Sequence, residues 1–204
     1  MSRTWEPEVW ASLSTALVSD CLERFQAMDA GVRRLSGERL LGPAVPVRTM
    51  VGESATLHAA VQQAPAGSVL VIDAEGHLGR AVWGEVLTVA AQAAGLSGVV
   101  IDGVIRDVGA IRARGFPIFA RGSCPAGPHK GWKGEIGQPV TCGGVVTHGG
   151  DLVMGDDDGV VVVPSARIAE VAAAAQQRMR TEAEWLRRIA SGEKSVDVLG
   201  LKTW

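Results

Sequence analysis

The 204-residue chain has only three cysteines, Cys21, Cys124 and Cys142, far apart and without a CxxC pair. That spacing indicates neither a disulfide framework nor a thiolate zinc site. Tyrosine is absent, and aromatics amount to six Trp and three Phe. A stacking surface for single-stranded nucleic acid is not expected from that inventory. A formal net charge of −2 provides no basic field for nucleic acid or an anionic membrane. No apolar run approaches the ~20 residues of a bilayer span. The polar start, residues 1–7, lacks the apolar core of a signal segment. Together these features predict a cytoplasmic protein with neither nucleic acid nor membrane as partner.

What is present is glycine, 26 residues of it, with apolar residues at 47% of the chain. The first predicts many turns and close backbone approaches. The second is ample for one buried core, so residues 1–204 read as a single domain. A helix is expected over about 6–28, a Gly- and Arg-rich loop over 31–37, and an extended run over 44–50. Ser54 is placed to cap a helix over 55–63. Val69-Leu70-Val71-Ile72 reads as a strand buried on both faces. A loop over 76–84, a helix from Glu85 to Ala94 and a strand over 99–101 follow. Asp107 is placed to cap a helix that ends on Gly115.

Beyond Phe116 the pattern is mostly strand, interrupted by a long polar loop over 122–137 that carries His129, Lys130 and Lys133. Asp156-Asp157-Asp158-Gly159 lacks EF-hand spacing and reads as a tight turn. A long closing helix, about 165–190, bears charge on several faces, which suits a helix reaching another subunit. The whole predicts an α/β protein with helices packed on sheets.

The helix that opens at Glu85 carries the chain ~16 Å away at ~1.5 Å per residue. The next strand brings it back at ~3.3 Å per residue. Gly84, Glu85, Arg106 and Asp107 should therefore share one rim with free helix N–H groups. Those amides suit a carboxylate, the guanidinium suits a keto oxygen, and the two acids suit a hard cation, Mg²⁺ or Mn²⁺. Such a set would stabilise the enolate formed when a C–C bond next to pyruvate breaks. On pattern alone, an Asp at a helix start is usually an N-cap and the neighbouring Arg a solvated charge. Likewise His58 reads first as a packing residue and Lys130 as a solvated loop charge, with a substrate's distal carboxylate as its functional alternative. No glycine-rich loop supports a methyl-transfer cofactor.

The segments 83–87, 98–107, 115–122, 142–146 and 150–164 resemble the 4-hydroxy-4-methyl-2-oxoglutarate aldolase family, which is related to the regulator of ribonuclease E activity A. Twenty residues stand between Glu85 and Arg106, the spacing of that family's signature. The resemblance implies a β/β/α swivelling-domain type of sandwich with a long C-terminal helix, built into trimers or hexamers with active sites between subunits. It implies a divalent-metal-dependent aldolase that releases pyruvate, with oxaloacetate decarboxylation beside it. Asp107 would be the metal ligand and Arg106 would hold the keto acid and its enolate. Glu85, where the family often has Asp, would hold water on the metal. The amides of Val86 and Leu87, following Gly84, would bind the pyruvate carboxylate. Glu182 and Asp20 match acidic positions placed across the subunit boundary. The alternative is a non-catalytic regulator of an RNA-processing enzyme, which would need no intact Glu85, Arg106 and Asp107 set.

Overall fold

The computed structural model describes residues 5–202. Its strands are β1 (Arg33–Ser36), β2 (Leu40–Arg48), β3 (Val69–Trp83), β4 (Gly98–Ile105), β5 (Ile118–Ser123), β6 (Glu135–Ile136), β7 (Val140–Cys142), β8 (Val145–Thr147), β9 (Leu152–Asp156) and β10 (Gly159–Val163). The helices are α1 (Pro7–Ala11), α2 (Thr15–Asp20), α3 (Ala55–Gln63), α4 (Glu85–Ala93), α5 (Val108–Arg114), α6 (Ile168–Ala190) and α7 (Ser195–Val198). One mixed sheet runs β1-β5-β4-β3-β2-β9-β10, with β6 added to β2, and β7 and β8 form a separate hairpin. The sheet curls until β1 and β10 touch, so it is nearly closed.

At the heart of the sheet, β2, β3, β4 and β5 are mutually parallel neighbours. They are joined in turn by α3, α4 and α5. Parallel neighbours need such crossovers, and each crossover delivers its helix start at the carboxyl end of a strand. The starts of α3, α4 and α5 therefore gather at one edge, where ligands commonly bind open α/β sheets.

Strand alternation sorts the core. Val69, Val71, Val100, Phe119, Val160 and Val162 point inside the curl. Leu70, Ile72, Val99, Ile101 and Ile118 point outward beneath α3, α4 and α5. Val161, Val163, Leu152 and Met154 face α1, α2 and the first turns of α6. Each of these strands is apolar on successive residues because both its faces are covered. Gly155 illustrates the density: a Cβ there would lie 2.7 Å from the Phe119 ring.

The structure corrects the sequence reading at the amino end. The segment 6–28 is two short helices, because serine hydroxyls compete for the backbone. Ser12 Oγ donates to the Val9 carbonyl at 2.7 Å, and Ser14 Oγ accepts from the Leu17 N–H. Beyond α2, Glu23 and Arg24 adopt positive φ, which ends helical continuation. The 31–37 segment contains β1, and the 76–84 segment is the far end of β3, paired irregularly with β4. Its glycines suggest a loop, yet Ala81, Val82 and Trp83 are buried. The acidic run is a hairpin turn as expected: Asp156 accepts from Thr15, and Asp157 pairs with Arg34.

In α6, the buried residues are Ile168, Val171 and Ala175. From Gln176 to Ala190, about 22 Å of helix at ~1.5 Å per residue carries no buried side chain. Leu186 is exposed there. Among the described residues no helix is long and apolar enough to cross a membrane.

Candidate functional site

The ends of β3 and β4 bring Gly84 and Asp107 together. The Arg106 N–H donates to the Trp83 carbonyl at 2.9 Å, which locks the two strand ends side by side. The buried Trp83 indole donates to Thr88 Oγ1 at 2.9 Å, and that hydroxyl donates to the Gly84 carbonyl at 3.0 Å. The first turn of α4 is thereby tied to the strand that precedes it.

Asp107 does not cap its own helix. It adopts a left-handed conformation, φ 59°, and makes no side-chain cap bond. Its Oδ2 instead accepts from the Glu85 N–H at 3.1 Å, at the start of α4. Non-glycine residues in this region of φ and ψ are uncommon, although Asp tolerates it better than most. The turn aims the carboxylate across to the neighbouring helix. Gly84 makes room for it: a Cβ on residue 84 would stand 2.7 Å from Asp107 Oδ2 and 3.2 Å from Arg106 Cγ. Arg106 Nε lies 3.5 Å from Asp107 Oδ2, with both side chains about two-fifths exposed.

These groups line one cleft together with Val86, Leu87, Ser54, His58, Pro128 and Lys130. The start of α4 lines it, where the N–H groups of Val86 and Leu87 lie in the first turn and have no intrahelical acceptor. The Thr88 N–H is the first to bond back, to the Gly84 carbonyl at 3.1 Å. Lys130 and His58, first read as a loop charge and a packing residue, both belong to the cleft. Burial, and then the nearby Lys130 charge, push the His58 imidazole below its ordinary range. The Arg106 guanidinium lies against Gly127, where a Cβ would come within 2.6 Å of its Nη1.

Glu85 faces the site with its backbone and Arg114 with its side chain. Its Oε1 lies 2.7 Å from Arg114 Nη2 and accepts from Nε at 3.1 Å. Arg114 was not among the residues singled out from sequence; one helix further on, it carried no motif. Asp20 and Glu182 are brought together elsewhere, on α2 and α6. Arg178 bridges them, at 3.3 Å from Asp20 Oδ2 and 2.7 Å from Glu182 Oε1, and stacks over Trp185 at 5.0 Å. Neither acid lines the Arg106 cleft of its own chain.

Sequence reasoning also missed Glu53. The Ser54 hydroxyl, expected to cap α3, makes no cap bond. The Glu53 carboxylate does so, accepting from Ser54 and Ala55 N–H at 2.9 and 2.6 Å. The signal is an acid one residue before the serine expected to cap, hidden because full burial of a carboxylate is rare.

The donors suit a hard cation only in a sparse way. Among the described residues no three His, Cys, Asp or Glu side chains cluster to hold a metal. Asp107 is half-exposed and its contacts fall on Oδ2. A single carboxylate with waters and ligand oxygens is how Mg²⁺ is often held. Cys142 is buried, and that burial pushes its thiol well up, as burial does to a smaller extent for Cys21.

Comparison with known proteins identifies the family. Residues 15–162 match the family model described as Aldolase/RraA. A Halalkalibacterium halodurans protein, provisionally named 4-hydroxy-4-methyl-2-oxoglutarate aldolase, is 36% identical over 168 residues, covering 82% of this chain and 80% of its own. The crystal structure of an uncharacterised Pseudomonas syringae protein superposes with a TM-score of 0.83 at 28% identity, covering 97% of this chain and 98% of that one. A Streptomyces coelicolor structure, described as an unusual member of the RNase ES inhibitor RraA protein family, gives 0.79 at 30% identity over 89% and 96% of the two chains. With its family model spanning most of the sequence and its architecture shared with these structures, the chain belongs to the Aldolase/RraA family.

Proposed function

We propose that the cleft is the active site of a divalent-metal-dependent carbon–carbon lyase. Its substrate would be 4-hydroxy-4-methyl-2-oxoglutarate or a related 4-hydroxy-2-keto acid, cleaved to pyruvate, with oxaloacetate decarboxylation as a second activity. The observation that carries this reading is the convergence of Arg106, Asp107 and the start of α4 on one rim.

Each group has a part. The Val86 and Leu87 N–H groups receive the keto acid's C1 carboxylate, favoured by the positive end of the helix. Arg106 faces the C2 keto oxygen. Asp107 would hold Mg²⁺ or Mn²⁺, which when bound would supply Lewis-acid stabilisation of charge developing on that oxygen. Lys130 takes the distal carboxylate. Loss of the C4 hydroxyl proton to a base makes C4 a carbonyl, and the C3–C4 electron pair moves onto C3–C2 and the C2 oxygen. Arg106 stabilises the resulting enolate, and a proton returned to C3 completes pyruvate. In oxaloacetate the same bond releases CO₂ and leaves the same enolate.

Glu85 would position water beside the site, and Glu182 and Asp20 would serve the site of a neighbouring subunit. The exposed outer half of α6 supports that last assignment within a homotrimer or hexamer. A regulator of an RNA-processing enzyme is the second reading, supported by the description of the Streptomyces coelicolor relative. It gives no role to the Arg106 and Asp107 pair. Pyruvate release from both keto acids, followed for wild type and Arg106→Lys, separates the two. The lyase reading expects turnover that the lysine variant loses, because lysine cannot fork onto two oxygens. A wild type without turnover on either acid would reject it.

A further inference from the structure

Glu53 is wholly buried, and its carboxylate joins two segments far apart in sequence. Oε1 accepts from Ser54 and Ala55 at the start of α3, as described above. Oε2 accepts from the N–H groups of Gly131 and Trp132, at 2.9 and 3.3 Å. Burial alone would push this carboxyl up, but the four N–H donors outweigh it and hold it below the usual range. The same two segments are laced by backbone bonds, from the His129 N–H to the Gly52 carbonyl at 2.7 Å and from the Ser54 N–H to the His129 carbonyl at 3.1 Å. Between the anchored residues His129 and Gly131 sits Lys130, which lines the cleft with Arg106.

We propose that Glu53 is a positioning residue of this cleft: its carboxylate fixes the 129–132 segment against α3 and so sets Lys130 where the second carboxylate of a dianionic keto acid lies. This rests on the lyase reading above. A buried carboxylate is an expensive way to cap one helix, because desolvation opposes it. Four donors from two segments offset that cost and fix the distance between them.

The test is Glu53→Gln, alone and combined with Lys130→Ala. A glutamine has one acceptor oxygen and turns an NH₂ group toward the remaining N–H donors, so it can hold one segment and not both. Kinetics with 4-hydroxy-4-methyl-2-oxoglutarate, whose distal carboxylate keeps its charge through the cleavage, should show KM raised about tenfold with kcat within about twofold, the mark of lost binding held equally in ground and transition states. In the Lys130→Ala background the same substitution should add less than about twofold, because the two residues act through one contact. Gly131→Pro removes a single N–H donor to Oε2 and leaves the buried acid in place, so it should reproduce the KM effect if Glu53→Gln folds poorly. Amide hydrogen exchange at Gly131 and Trp132 should quicken in Glu53→Gln while α4 amides stay protected.

Effects that multiply in the double variant, or a fall in kcat at unchanged KM, would overturn the positioning role. Unchanged exchange at Gly131 and Trp132 would overturn the clamp itself. Absence of turnover in wild type would instead remove the lyase reading and the keto-acid role that rests on it, with exchange still deciding the clamp.

Discussion

Asp107 Oδ2 accepts the backbone N–H of Glu85 at 3.1 Å, across 22 positions of sequence. The bond joins the ends of two neighbouring parallel strands and points a carboxylate at a helix start. It exists because Asp107 takes a left-handed turn and because residue 84 has no side chain.

Gly84→Ala tests that arrangement. The added methyl would stand 2.7 Å from Asp107 Oδ2, so the carboxylate must move. Displacements near 1 Å can cost on the order of a hundredfold in rate. We expect kcat/KM for pyruvate release to fall by that order, with thermal unfolding little changed. Unaltered kinetics would show that the position of Asp107 is not critical.

Arg114→Gln frees the Glu85 side chain. Both partners are about two-fifths exposed, so the pair contributes no more than about 1 kcal/mol to stability. Urea unfolding should therefore change by less than that, while kcat falls several-fold as Glu85 loses its orientation. A large loss of stability with intact kinetics would make the pair structural only.

His58 and Glu53 predict two separate acid windows. The folded state holds His58 below its ordinary value, so its unfolded form binds the extra proton first. Stability linked to it is complete above about pH 6.5 and declines as pH falls from there toward the lowered value. Glu53 is also held low, so its contribution is present above about pH 4.3 and is lost as pH falls through its lowered value. Unfolding measured across pH should lose the upper window in His58→Asn and the lower one in Glu53→Gln. Identical profiles in all three proteins would contradict both assignments.

Phe119→Ala tests the interior of the curled sheet. The ring is wholly buried inside the curl and packs on Gly155. Phe-to-Ala changes in such cores cost about 3–5 kcal/mol, which chemical denaturation would read directly. A loss below about 1 kcal/mol would mean that the interior collapses around the gap.

Much of this was legible from residue patterns. The run at 69–72 marked a strand covered on both faces, and counting helix rise against strand rise placed Glu85 beside Asp107. The glycines of 76–84 concealed a strand, since Ala81-Val82-Trp83 is buried by contacts formed far away in sequence. The serines at 12 and 14 broke a helix that the Leu13 and Leu17 spacing suggested. A single aspartate before a helix has the pattern of a cap, and nothing local marks the left-handed turn that redirects Asp107 to α4. Glu53 and the cleft position of Lys130 depend on loop packing, and Arg114 on how α5 lies beside α4, neither of which local spacing encodes.

The central claim is that Asp107 and a divalent cation act together in releasing pyruvate. The most direct measurement is pyruvate formation from oxaloacetate and 4-hydroxy-4-methyl-2-oxoglutarate, coupled to lactate dehydrogenase, with Mg²⁺, Mn²⁺ or chelator, for wild type and Asp107→Asn. Asparagine tolerates the left-handed turn and can still accept the Glu85 N–H, so it removes charge and keeps the geometry. The account predicts turnover in wild type that chelator abolishes and that Asp107→Asn lacks at any added metal. Turnover that persists in chelator or in the asparagine variant would contradict it.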